Sequence, residues 1–209
     1  MKSMDCAISQ SMEPEAQKPK VFHQLEERPR MLQFRDLRAD EIDVRVAQAK
    51  QNGVSLLLYK DARVDMNILD ETFGPFGWQR RHTRDNQNCI VSIWDESKKQ
   101  WIEKEDTGTE SNTEKEKGLA SDSFKRACFN VGIGRELYTA PFIWIEAKNC
   151  ASLVQSGDKW KCFDSFAVEK IVIENKKIVA LAIRNVKTGR RCFVWQDQEW
   201  VKRKGGDTR

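Results

Sequence analysis

Histidine is nearly absent from this chain, and no part of it is apolar for long. It has 209 residues, with two histidines, His23 and His82, and six cysteines, Cys6, Cys89, Cys128, Cys150, Cys162 and Cys192. The cysteines are widely spaced, form no C-x-x-C pair and have neither histidine close to them in sequence. Zinc sites are usually announced by close ligand pairs. The spacing therefore argues against a metal centre, and no cofactor is expected. Reduced, mostly buried thiols in a reducing compartment are the reading it favours. No apolar run approaches the roughly 18–20 residues that a membrane span requires, so a membrane is not among the expected partners. The opening stretch, MKSMDCAISQ, lacks the apolar segment of a secretory leader. A cytoplasmic location is expected.

Strong charge of one sign is missing as well. The net charge is +4, from 36 basic and 32 acidic residues. Residues 36–150 carry slightly more carboxylates than cations, and residues 151–209 carry an excess of cations. A nucleic-acid reading cannot rest on such a balance and needs a local stripe of charge. Internal repeats and coiled-coil heptads are also lacking. What remains, with 39% hydrophobic and 33% charged residues, suits one sizeable core with polar flanks.

The order of elements is legible in outline. Residues 1–35 mix proline, glutamine and both charges, and read as a mobile arm. Residues 40–50, DEIDVRVAQAK, show apolar positions at 42, 46 and 49, which predicts a helix that stops before Gly53. VSLLLY at 54–59 reads as a strand, and 63–74 as a helix closed by Gly74. WQRRHTR, CIVSIWD and QWIEKED then follow at hairpin distances and predict an antiparallel meander. Ser111 with Glu114 fits a capping box for a long helix running to about Val131. APFIWIEAK at 140–148 reads as a further strand, and residues 149–158 as a linker. Turn chemistry at Asn175-Lys176 and Lys187-Thr188-Gly189 divides 158–196 into a small second meander, and a frayed tail is expected over 197–209. The expected fold is α+β: a core over 36–148 in which an antiparallel meander packs on a long helix, followed by a small C-terminal β-meander.

The long helix carries the first candidate site. At about 100° per residue, Ala120, Ala127, Cys128 and Val131 share a face with Phe124. Lys115, Lys125 and Arg126 point the other way, with Asp122 and Phe129 among them. A Lys-Arg pair is ordinarily solvated surface. An aromatic ring on the same polar face calls for a partner such as a protein surface or a nucleobase.

Four stretches, in order, resemble the DNA-binding core of the single-strand annealing recombination proteins of the Rad fifty-two superfamily, and most of all its bacteriophage-type members. They are EIDVRV (41–46), ILDETFGPFGW (68–78), EDTGTE (105–110) and KGLASDSFKRACFNVGIGRELY (117–138). The resemblance implies a β-β-β-α core and assembly into oligomeric rings or filaments. It also implies a basic groove that holds single-stranded DNA, and ATP-independent annealing of complementary strands in recombination and repair. The location implied for a phage-encoded member is the bacterial host cytoplasm. Carried across, Lys125 and Arg126 match the groove's basic pair, Arg45 a groove arginine on the first helix, and Tyr59 an aromatic near the start of the first strand. Lys115 and Lys117 are further candidates, although they lie among Glu114 and Glu116 and are ordinarily solvated partners of such carboxylates. A single-strand-binding protein is a candidate partner, and no enzymatic step is implied. Phe129 departs from the family, which often has a basic residue there, and the second meander has no assignable counterpart.

Two other readings compete. Glu146-x-Lys148 has the spacing of metal-dependent nucleases, with Asp106 the available aspartate to complete a Mg²⁺ shell. An aromatic-bearing sheet with a basic helix would equally serve a non-catalytic RNA-binding module.

Overall fold

The stretch read as the first helix is a strand. In the computed structural model, which describes residues 33–109 and 115–206 apart from the side chains of 115–117 and 206, β1 spans Asp43–Lys50. It turns tightly into β2, Gly53–Tyr59. Val44 and Val46 face inward and Asp43, Arg45 and Ala47 outward, the two-residue period of a strand. The pairing then slips between Val46 and Gln48. This bulge restores Ala49 to the inner face and creates the three-residue step that imitates a helix.

From β2 the chain enters α1, Ala62–Phe73, capped by the Asp61 side chain on the Arg63 N–H. Next come β3 (Trp78–Thr83), β4 (Asn88–Asp95) and β5 (Gln100–Thr107), a three-stranded antiparallel sheet as expected. The long helix α2 follows over Lys115–Val131, and its proposed capping box lies outside the described residues. A 3-10 turn, Arg135–Thr139, leads to β6, Ile143–Glu146. The stretch read as a linker instead begins at the end of a further 3-10 turn, Ala147–Asn149, and contains β7, Leu153–Ser156. β7 forms a separate hairpin with β8, Lys159–Cys162.

The second meander is no appendage. Its strands β9 (Phe166–Glu174), β10 (Lys177–Asn185) and β11 (Arg191–Gln196) join β1, β2 and β6 in one six-stranded sheet, ordered β11-β10-β9-β1-β2-β6. The junction is the pairing of Asp43 with Ala167 and Val44 with Phe166. Buried Ile178, Leu181 and Ile183 of β10 belong to the same core as Val54 and Leu56 of β2. Division at 149–158 would expose that shared apolar face, so residues 33–206 are one unit. The tail is likewise ordered: α3 covers Gln198–Gly206, with Asp197 accepting the N–H groups of Glu199 and Trp200 at 3.0 Å each. The end of the proposed arm is also in the core, since Phe34 is buried and Arg35 ties Glu41 to Glu71.

Among the described residues the fold is thus α+β, mostly antiparallel strands with three helices. Phe124, Ala127 and Cys128 of α2 are fully buried, together with Ser123. Ala120 and Val131 complete the apolar stripe at half burial. The Phe124 ring stacks on Trp78, with centroids 6.0 Å apart, and the Arg80 guanidinium lies 5.0 Å from its centre.

Candidate nucleic-acid interface

One motif explains how α2 is held. β5 ends at Thr107, and Gly108 passes directly over the helix. A Cβ on Gly108 would stand 2.6 Å from both the Leu119 carbonyl oxygen and the Ser123 nitrogen. Only a residue without a side chain fits this crossing. Thr109 then donates to Asp122 Oδ2 from its N–H at 2.9 Å and from its hydroxyl at 3.1 Å. The aspartate of Asp-x-x-Lys-Arg is therefore a clasp, and its charge is occupied. Asn130 adds a second clasp, donating to the Glu105 carbonyl at 3.0 Å and to Asp106 Oδ2 at 3.1 Å.

With the helix clasped on that side, Lys125 and Arg126 lie on the wall of a groove of about 480 Å³. The same groove is lined by Arg45, Leu57, Tyr59 and Tyr138. Lys125 is half-buried and Arg126 exposed. Neither Arg45 nor Lys125 has an ion-pair partner among the described residues. Arg126 leans on Asp106, Nε to Oδ1 at 3.5 Å, yet its side chain remains 46% exposed. A solvent-exposed pair of this kind contributes little and leaves the guanidinium free for a stronger anion.

Arg45 and Tyr59 arrive from the neighbouring strands. Arg45 is not on a helix, and Tyr59 closes the second strand rather than opening the first. In the register Arg45 is opposite Leu57, so Tyr59 is its diagonal neighbour on the outer face. The Arg45 guanidinium lies 5.5 Å from the Tyr59 ring centre, a cation–π distance. Glu41, the carboxylate on offer to Arg45 in the sequence, is instead taken by Arg35 and Arg38. Burial pushes the Tyr59 phenol up, with the Asp43 and Asp61 carboxylates adding to this and Arg45 opposing it.

Lys60 also reaches the groove, but its charge is spoken for. It is 6% exposed, and its ammonium meets both oxygens of fully buried Asp65 at 2.5 Å. Burial pushes the Asp65 carboxyl up, against the pull of that ammonium. Gly134, at φ 73°, makes room for the Lys60 stem, because a Cβ there would lie 2.4 Å from Lys60 Cε.

The structure brings together Arg45, Tyr59, Lys125 and Arg126 from three elements. The side chains of Lys115 and Lys117 lie outside the described residues. Sequence reasoning missed Tyr138, whose 72% exposed ring packs on Phe129 with centroids 4.5 Å apart. Phe129 therefore finds its aromatic partner within the chain. Arg135 lies 5.6 Å from the Phe129 ring centre and donates to the Phe129 and Asn130 carbonyls at 2.9 and 2.8 Å, closing the end of α2. A cation thus stands beside Phe129, supplied from the next turn of chain rather than from the helix. The signal for this was Phe129's position on the polar side of the wheel.

The nuclease pair is arranged differently. Glu146 pairs with Lys148 at the end of β6, whereas Asp106 belongs to the other sheet and is engaged by Arg126 and Asn130. Comparison with models of known families, with curated proteins and with solved structures finds no match to this chain.

Proposed function

We propose that this protein binds single-stranded DNA in the groove between α2 and the β1–β2 hairpin, and that it anneals complementary strands without nucleotide hydrolysis. The observation that carries this reading is the convergence of Arg45, Tyr59, Lys125 and Arg126 on one open groove. Annealing sets two demands. Phosphate charge must be neutralised so that two polyanions approach, and base edges must stay free to pair. Cations that hold the backbone meet the first demand, and stacking on an aromatic face meets the second, since stacking leaves the hydrogen-bonding edges open. Lys125, Arg126 and Arg45 are the phosphate contacts in this account, and Tyr59 is the platform, with Tyr138 and Phe129 extending it.

One groove supplies few contacts. Copies arranged in a ring or filament join their grooves into a track, and the linked sites bind far more tightly than one. Phe76 and Phe142 stand 92% and 78% exposed, which suits contacts between copies. The protein makes and breaks no covalent bond in this reading. Resemblance of the ordered motifs to the Rad fifty-two superfamily supports the same function.

Mixing complementary labelled strands with and without the protein tests it. Duplex formation is expected to accelerate in the absence of ATP and Mg²⁺, and to slow towards the spontaneous rate with Lys125→Ala/Arg126→Ala. Strands shortened in Mg²⁺ by the parent but not by Glu146→Ala would overturn the annealing reading in favour of a nuclease.

A further inference from the structure

The β7–β8 hairpin is a separate two-stranded sheet, with Leu153 and Cys162 packed against the core. Isolated two-stranded sheets are marginal in water and need an anchor. At its base the structure gathers three donors. Cys150 ends the 3-10 turn before β7, Cys162 ends β8, and Asp164 follows two residues later. One ligand atom from each lies within 4.8 Å of the other two.

Asp164 is set up as a ligand more than as a structural acid. It is 8% exposed. Its Oδ2 accepts the Ala151 N–H at 2.6 Å and the Asn185 side-chain amide at 2.9 Å. Its Oδ1 is buried with no hydrogen-bond partner. Leaving a buried carboxylate oxygen unsatisfied is costly, and two thiols close by are weak donors. Asn185 is itself fully buried and fixed, donating to the Asn149 carbonyl at 3.2 Å and accepting the Lys187 N–H at 3.0 Å. Such outer hydrogen bonds orient a metal's carboxylate ligand.

We propose that Cys150, Cys162 and Asp164 bind a thiophilic divalent cation of the zinc class, which staples the base of the β7–β8 hairpin. Two sulfurs and one carboxylate oxygen are a zinc donor set. Tetrahedral bonds of about 2.3 Å to sulfur hold sulfurs about 3.8 Å apart, so only a small contraction of the present cluster is required. A water fills the fourth position. Close ligand pairs are absent from the sequence because the hairpin itself separates Cys150 from Cys162 and returns them to the same place. The sequence-based expectation of no metal rested on that absence. This proposal is independent of the annealing function.

Co²⁺ titration of the full chain under reducing conditions tests it. Thiolate-to-metal charge transfer and tetrahedral visible bands are expected, saturating at one ion per chain and displaced by Zn²⁺. Cys150→Ser/Cys162→Ser is expected to abolish the bands, and Cys6→Ser to keep them. Asp164→Asn preserves the acceptor for Ala151 and lets the chain fold. It is expected to weaken Co²⁺ binding at least tenfold, the lower end of what even outer-shell changes cost. Absence of the charge-transfer band in the parent would overturn the proposal, as would its persistence in the double variant. Unchanged affinity in folded Asp164→Asn would remove the carboxylate from the site.

Discussion

Gly108→Ala isolates the crossing that positions the basic helix. The new methyl would meet the Leu119 oxygen and the Ser123 nitrogen at 2.6 Å. Both are backbone atoms of α2, so no side-chain rotation relieves the contact. The backbone of Gly108 is outside the left-handed region, and space is the whole objection. Overpacking of this kind costs about 1–3 kcal/mol. Relief requires the end of β5 to lift, which breaks both Thr109 hydrogen bonds to Asp122. Hydrogen bonds to a charged acceptor contribute about 1.5–3 kcal/mol. Together these give an expected loss of about 2.5–6 kcal/mol, a fall in Tm on the order of 10 °C for a domain of this size. Urea unfolding followed by tryptophan fluorescence measures it. Asp122→Ala on the parent should cost about 1.5–3 kcal/mol and much less on the Gly108→Ala background, because the bonds are already lost. A Gly108→Ala chain within about 0.5 kcal/mol of the parent, the ordinary range for surface changes, would refute the crossing. Strict additivity of the two changes would refute the link between the glycine and the clasp.

Three further outcomes follow from the same geometry. Asp65→Ala strands the buried Lys60 ammonium and is expected to cost about 3–5 kcal/mol in the same unfolding assay, while Lys60→Met/Asp65→Leu should recover most of it. Tyr59→Ala should weaken single-strand binding by about 1–3 kcal/mol and Tyr59→Phe by much less, since the ring rather than the hydroxyl stacks; fluorescence anisotropy separates them. Glu41 is held below the usual carboxylate range, where bonds from Arg35 and Arg38 outweigh the opposing effect of burial. Its contribution is therefore complete above the unfolded value and is lost as pH falls through the lower folded one. The stability gap between parent and Glu41→Gln should be full at neutral pH and shrink below about pH 4.5.

Where periodicity was local and unbroken, the fold was legible. α1 and α2 carry their period without interruption, the three-stranded meander was marked by its hairpin spacing, and the β-turn at Asn175-Lys176 shows the left-handed φ values of 52° and 61° that such hairpins use. β1 was misread because a bulge inserts one residue and turns a two-residue period into a three-residue step. The pairing of β1 with β9 left no local trace, since it joins Asp43 and Val44 to residues far along the chain. α3 was announced only by Asp197 as an N-cap, in a stretch otherwise polar. At the groove, Lys125 and Arg126 were legible from the wheel, whereas Arg45 and Tyr59 were reached through the ordered motifs, Tyr59 on a strand as read and Arg45 on a strand rather than the helix expected. Tyr138 is recruited by a turn after α2 and has no periodic relation to the other groove residues.

The central claim is that Lys125 and Arg126 on α2 neutralise the phosphates of a single strand. The salt dependence of oligonucleotide affinity measures this directly, with circular dichroism to establish that the variant stays folded. Each phosphate neutralised contributes about 0.7 to the slope of log K against log salt. Lys125→Ala/Arg126→Ala should therefore flatten the slope by about 1.4 per protomer engaged and weaken binding most at low salt. A folded double variant with the parent's slope and affinity would contradict the account.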